Sequence, residues 1–100
     1  MKSILHRRED HTCYLCMLLD SNYDLYSHLE EHHIFNGPNR KLSTKYGLTV
    51  YLCAEHHRIG PAAGHINPDV RAEVQKNGQR AFMKKYPDKD FMKIFGKNYL

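Results

Sequence analysis

Nowhere in these 100 residues does an apolar run approach the length needed to span a bilayer. The opening stretch MKSILHRRED holds two adjacent apolar residues, too few for a secretory signal, so a cytoplasmic protein is expected. There is no internal repeat, no low-complexity run and no composition break that would mark a second domain. The length suits one domain over residues 1–100, with a small core that a staple would help. Cysteine is scarce and odd in number: three cannot close a disulfide set, and in a reducing compartment Cys with His points to metal. Acidic residues are outnumbered, 11 against 15 basic, giving a net charge of +4. That balance favours an anionic partner, nucleic acid being the commonest; a mildly basic protein without such a partner is the alternative.

Histidine is the residue in excess, with 8 in the chain. Two tandem pairs stand out, His32-His33 in LEEHHIFNGPNRK and His56-His57 in YLCAEHHRIG, each where a strand should end.

Local pattern gives the elements. Residues 13–16, CYLC, read as a knuckle, and 17–28 as a loop or short strand. Residues 29–35 are strand-like and end at Gly37-Pro38. RKLSTKYG, 40–47, reads as one or two helical turns closed by Gly47. LTVYLC, 48–53, is rich in β-branched and aromatic residues and is the clearest strand. AEHHR starts a helix that stops near Gly60-Pro61. Asn67-Pro68 is a cap and first helical position, followed by Val70, Val74, Ala81 and Phe82 on one face. Gly78 should weaken that helix, and Pro87 ends it. Asp88 caps a last helix whose apolar side is Phe91, Met92, Ile94 and Phe95, closed by Gly96. The expected fold class is α+β.

Cys13 and Cys16 are spaced so that both thiolates can reach one ion from a tight turn. Cys53 and His56 repeat that spacing at the end of the second strand. Together they make a Cys3His set for a structural zinc, joining distant segments of a small chain. His57, next to His56, does not fit the two-residue spacing. The alternatives are idle buried cysteines or a redox CxxC, and the second lacks a βαβ pattern around it. With His56 assigned, His32, His33, His57 and His65 remain as a group, while His6, His11 and His28 look peripheral.

The order CYLC, EEHHI, YLCAEHH resembles that of the HNH nucleases, within the ββα-metal (His-Me finger) superfamily. The resemblance covers about residues 13–65 and leaves a helical tail at about 67–97, more like small phage-borne HNH proteins than restriction enzymes. It implies a zinc-stapled ββα-metal core, and a DNA endonuclease or nickase of phage or mobile DNA acting in a bacterial cytoplasm. By position, His32, His57 and His65 would hold a catalytic divalent ion (Mg²⁺, Mn²⁺, Ni²⁺ or Zn²⁺), and His33 would be the general base. The products would be a 5′-phosphate and a 3′-hydroxyl. Arg40, Lys41, Lys45 and Arg58 would reach phosphates, the arginines with paired donors, and Arg58 would sit beside the ion ligands. Lys84, Lys85, Lys89, Lys93 and Lys97 are spread around the helices as solvated faces. No base-reading helix is evident, so DNA binding would be phosphate-dominated and salt-sensitive, with a partner protein able to supply specificity. One departure from the family pattern is Leu48, where an Asn usually braces the loop carrying the base; Asn36 or Asn39 could stand in. The main alternative is a non-catalytic zinc-bound nucleic-acid-binding module accessory to recombination or packaging. A protein-interaction domain with a vestigial site is the third.

Overall fold

A computed structural model describes residues 2–60 and 67–100, with the backbone alone at 58 and 59. The element order is a 3₁₀ turn (Arg8–Asp10), α1 (Tyr14–Asp20), β1 (Glu30–His33), a 3₁₀ turn (Gly37–Asn39), α2 (Arg40–Tyr46), β2 (Thr49–Leu52), a π-helical turn (Glu55–Ile59), α3 (Pro68–Lys85) and α4 (Phe91–Phe95). β1 and β2 form an antiparallel pair in which Glu30 faces Leu52 and His33 faces Thr49. Mixed helices around a two-stranded sheet make the chain α+β in class. Among the described residues no helix is long and apolar enough to cross a membrane.

Several boundaries follow from backbone chemistry that the residues announce. Gly47 stops α2 at φ +71°, a left-handed conformation natural to glycine. It also lies against Lys2 and Ile4, where an added Cβ would come 2.5 Å from the Lys2 carbonyl oxygen. Asn67 caps α3 by accepting from Asp69 N and Val70 N, with Pro68 at the first helical position. Gly96 ends α4 at φ +80°.

Other expectations need correction. Residues 14–20 are helical rather than knuckle and loop: Cys13 is the N-cap, and its Sγ accepts from Cys16 N. The thiol serves here as the oxygen of Ser or Asp would, a substitution that a metal-ligand spacing hides. The cap of α4 is Asp90, not Asp88. Met92 is exposed, while Phe91 and Phe95 are buried. Val70 and Ala81 are half-buried, and the buried face of α3 is Val74, Gly78, Gln79 and Phe82. Gln79 belongs there because both ends of its amide are used: Nε2 donates to Asn98 Oδ1 at 2.9 Å and Oε1 accepts from Tyr99 N at 2.7 Å.

The C-terminal segment is integral to the core rather than a tail. Phe35, just beyond β1, meets Phe91, Phe95 and Tyr99 at centroid distances of 5.4, 5.1 and 4.8 Å. Phe82 of α3 meets Tyr46 of α2 edge-on at 5.2 Å. Each fully buried aromatic of this kind contributes about 1.5–3 kcal/mol through burial, with more from ring geometry. Gly78 makes the close approach of α3 possible. A Cβ there would sit 2.9 Å from Ile34 Cγ2 and 3.3 Å from Phe35 Cε2. Ile34 is β-branched and fully buried, so it has little room to give. Ser43, also fully buried, ties α2 to the end of β1: its Oγ accepts from Phe35 N at 3.0 Å and donates to Phe35 O at 2.8 Å.

His6 is not peripheral to the fold. It is buried, its Nδ1 accepts from Tyr51 N at 3.1 Å, and its Nε2 lies 3.2 Å from Thr12 Oγ1. Both bonds are made by the neutral ring, with the proton on Nε2. Burial lowers its pKa, and Asp10 and Thr12 oppose that only in part.

Two predictions follow. Gly78→Ala gains about 1 kcal/mol of helix propensity, but overpacking costs about 1–3 kcal/mol. The expected result is a lower melting temperature, with a larger fall for Gly78→Val; a stabilised Gly78→Ala would mean that α3 is not held close to Ile34. For His6, the folded pKa lies below the unfolded value of about 6.5, so its contribution is complete above that pH and is lost as pH falls. Denaturant midpoints at pH 7.5 and 5.5 should therefore differ more in the wild type than in His6→Gln, which keeps an acceptor but cannot titrate.

Candidate metal centre and histidine cleft

Three segments converge on one buried point. Cys13 and Cys16 come from the N-cap and first turn of α1, Cys53 from the end of β2, and His56 from the π-helical turn. Their donor atoms all lie within 4.8 Å of one another. His56 Nδ1 is 3.6, 3.3 and 3.5 Å from Sγ of Cys13, Cys16 and Cys53. Around a tetrahedral zinc, bonds of about 2.3 Å to sulfur and about 2.0–2.1 Å to nitrogen separate S from N by about 3.6 Å. The residues therefore fit a closed four-ligand structural metal such as zinc, and the cysteines are free of disulfides. Burial pushes the Cys16 thiol up to about 12, with Tyr26 opposing and the neighbouring thiols adding to the rise, and burial raises Cys53 as well. Such crowded thiols keep their protons until a cation enters, so metal uptake releases protons and adds its free energy to folding.

Tyr26 completes the surroundings. Its hydroxyl lies 3.2 Å from Cys16 Sγ, placed to donate to a thiolate. Its position is set by Tyr26 N donating to His11 O at 2.8 Å, and no sequence spacing signals it.

The neighbouring histidines occupy the other side of the π-helical turn and the end of β1. His57 Nδ1 donates to Glu30 Oε1 at 2.6 Å. The His32 ring, buried, meets the His57 ring edge-on at 5.4 Å between centroids. Strand alternation puts Glu30 and His32 on one face, and His57 packs there. His33 should point the other way, but β1 ends with it. His33 and His57 then line one cleft of about 140 Å³ with Glu31, Asn36 and Arg40. His32, His33 and His57 are thus neighbours, and Arg40 on the first turn of α2 joins them.

The state of His33 can be read from its contacts. Thr44 Oγ1 donates to Arg40 O at 3.3 Å, so its lone pair accepts from His33 Nε2 at 3.0 Å. Glu31 Oε1, at 3.6 Å, lies on the same nitrogen. Nε2 is therefore the protonated atom and Nδ1 carries the lone pair. Burial lowers the His33 pKa, Arg40 and His57 lower it further, and Glu31 opposes them. Thr44 and Glu30 escaped the sequence reading because their partners are set by tertiary packing; an acid two residues before His32 was the one available hint.

The remaining candidates divide. Leu48, where the family pattern has Asn, is fully buried. Asn36 lines the cleft, whereas Asn39 donates through Nδ2 to Phe95 O at 3.0 Å and is spent on holding α4. Lys41 is exposed on α2. Lys45 lies over the Tyr46 ring at 5.4 Å. Lys84, Lys85, Lys89, Lys93 and Lys97 are all exposed. His65 and the side chain of Arg58 lie outside the described residues. Comparison with protein-family models, curated proteins and solved structures finds no match in any of the three.

The donor set predicts one tightly held metal per chain. Cys16→Ser should lose it together with cooperative unfolding. Tyr26→Phe should keep one equivalent but bind zinc roughly tenfold more weakly, read by competition with a chromophoric chelator. Unchanged affinity would mean that the Tyr26 hydroxyl does not act on the bound ion.

Proposed function

We propose that the protein is a metal-dependent DNA endonuclease or nickase of HNH type, with a zinc-stapled ββα-metal core, serving phage or mobile DNA metabolism in a bacterial cytoplasm. One observation carries this reading: a histidine with its lone pair fixed on Nδ1 shares a cleft with a carboxylate-braced histidine and an arginine. The chain order of Glu30–His33, Thr49–Leu52 and Glu55–Ile59, two antiparallel strands and then a helical turn, supports a ββα-metal core.

The roles follow from chemistry. His57 gives its Nδ1–H to Glu30, the arrangement in which a carboxylate fixes the tautomer and direction of a metal-binding imidazole, and Nε2 would then be the ligating atom. His32 beside it is the second donor, and His65 is assigned as the third. A divalent ion held there would polarise the scissile phosphate and neutralise charge on the leaving 3′ oxygen. His33 Nδ1 takes a proton from water as its oxygen attacks phosphorus. The bond to the 3′ oxygen then breaks and that oxygen takes a proton from a solvent water, leaving a 5′-phosphate and a 3′-hydroxyl. The lowered pKa keeps His33 neutral and ready to accept that proton near neutral pH. Arg40 offers paired donors to non-bridging oxygens, and Arg58 is assigned the same task. Asn36 is the cleft residue able to take the bracing part that Leu48 cannot.

The alternative, a non-catalytic zinc-bound nucleic-acid-binding module, is favoured by a different observation. Among the described residues the Cys3His group is the only cluster of three or more metal donors.

Cleavage of supercoiled plasmid with Mg²⁺, Mn²⁺, Ni²⁺ or no added ion separates the two. The nuclease reading expects cutting that needs a second, looser ion and falls about 10²–10⁴-fold in His33→Ala. Its acid limb should lie below the ordinary histidine value of about 6.5. Glu30→Gln should need about 10–100-fold more ion for the same rate. DNA binding without cutting under any ion, equal in wild type and His33→Ala, would establish the binding module instead.

A further inference from the structure

A second cleft, of about 150 Å³, lies before β1 and is lined by Arg8, His11, Ser27, His28 and Leu29. The residues that line it carry a guanidinium, two imidazoles and a hydroxyl, and none of the five is acidic, although the Glu30 carboxylate lies 4.0 Å behind His28 Nε2. Arg8 is held in place by its guanidinium carbon lying 5.7 Å from the centroid of the Tyr51 ring on β2. Of the acids beside it, Glu9 pairs with Lys2 and Arg7 while still feeling the Arg8 charge, and Asp10 pairs with Arg7. His11 adopts φ +57°, a left-handed conformation uncommon for a residue with a side chain. It is fixed there by its N donating to Arg8 O at 3.1 Å and its O accepting from Tyr26 N at 2.8 Å. That turn places His11 at the same cleft as Ser27 and His28.

This cleft is separated from the histidine cleft by one carboxylate. Glu30 Oε2 lies 4.0 Å from His28 Nε2, and Glu30 Oε1 lies 2.6 Å from His57 Nδ1. His28 faces one cleft and His57 the other. Glu30 is largely buried between them, 17% exposed, with one oxygen toward each imidazole.

We propose that the Arg8–His11–Ser27–His28 cleft binds a flanking phosphate of the same nucleic-acid strand whose scissile phosphate lies at His33 and His57. Arg8 supplies two parallel donors, the imidazoles and Ser27 supply single ones, and Leu29 floors the cleft. The proposal rests on the nuclease reading for the scissile position, but binding at this cleft can be measured whether or not the protein cuts.

The test uses the full zinc-loaded chain and a fluorescein-labelled DNA duplex of arbitrary sequence, with anisotropy read over a salt series. Arg8→Gln should weaken binding about tenfold and reduce the salt slope by about 1. Arg7→Gln, the same charge change on the neighbouring exposed residue, should weaken it less than twofold. Titration with inorganic phosphate should shift the imidazole resonances of His11 and His28 in the wild type and not in Arg8→Gln. Equal losses in the two variants would reduce the effect to net charge and overturn the subsite, as would unshifted His11 and His28. A protein that never cuts plasmid but separates Arg8→Gln from Arg7→Gln keeps the subsite and loses the nuclease. One that cuts but treats the two variants alike does the reverse.

Discussion

Four donors from three segments meeting at one buried point constrain everything else in this molecule. The cluster ties the start of α1 to the end of β2, two elements that also pack together in the core. Because His56 faces the cluster, the adjacent His57 is turned toward β1, where Glu30 receives its Nδ1 proton. The π-helical turn Glu55–Ile59 carries both residues, and such turns recur near functional groups. Loss of the metal would therefore disturb the cleft as well as the fold.

Aromatic packing anchors the other side of the cleft. Phe35, two residues past the His32-His33 pair, enters the cluster formed with Phe91, Phe95 and Tyr99. Ser43 fastens the same residue to α2, whose next residue, Thr44, sets the His33 tautomer. The cleft is thus gripped from both sides, by the metal cluster behind His57 and by the aromatic core beyond His33. A strand only four residues long can hold two histidines in different roles because each end is anchored by something larger.

Much of this was legible in the residues because the signals are local. Cys-x-x-Cys and Cys-x-x-His are spacings; Gly47, Gly96 and Asn67-Pro68 are backbone rules; LTVYLC is a strand by composition. The misreadings arose where one residue type has two uses. Cys13 is both donor and helix cap, so α1 was hidden behind a metal motif. Gly78 looked like a flaw in α3 and is instead the contact that admits Ile34 and Phe35. His6, Tyr26, Glu30 and Thr44 were invisible for a different reason. Their partners lie far along the chain or on another element, and no spacing rule links Tyr51 to His6 or Glu30 to His57.

X-ray absorption at the zinc edge, on protein carrying one equivalent of the metal, addresses the central claim directly. The account predicts three sulfur ligands at about 2.3 Å and a single nitrogen at about 2.0–2.1 Å. A shell with two or more nitrogens and fewer sulfurs would contradict it, because both members of a tandem histidine pair, or the cleft itself, would then be holding the structural ion.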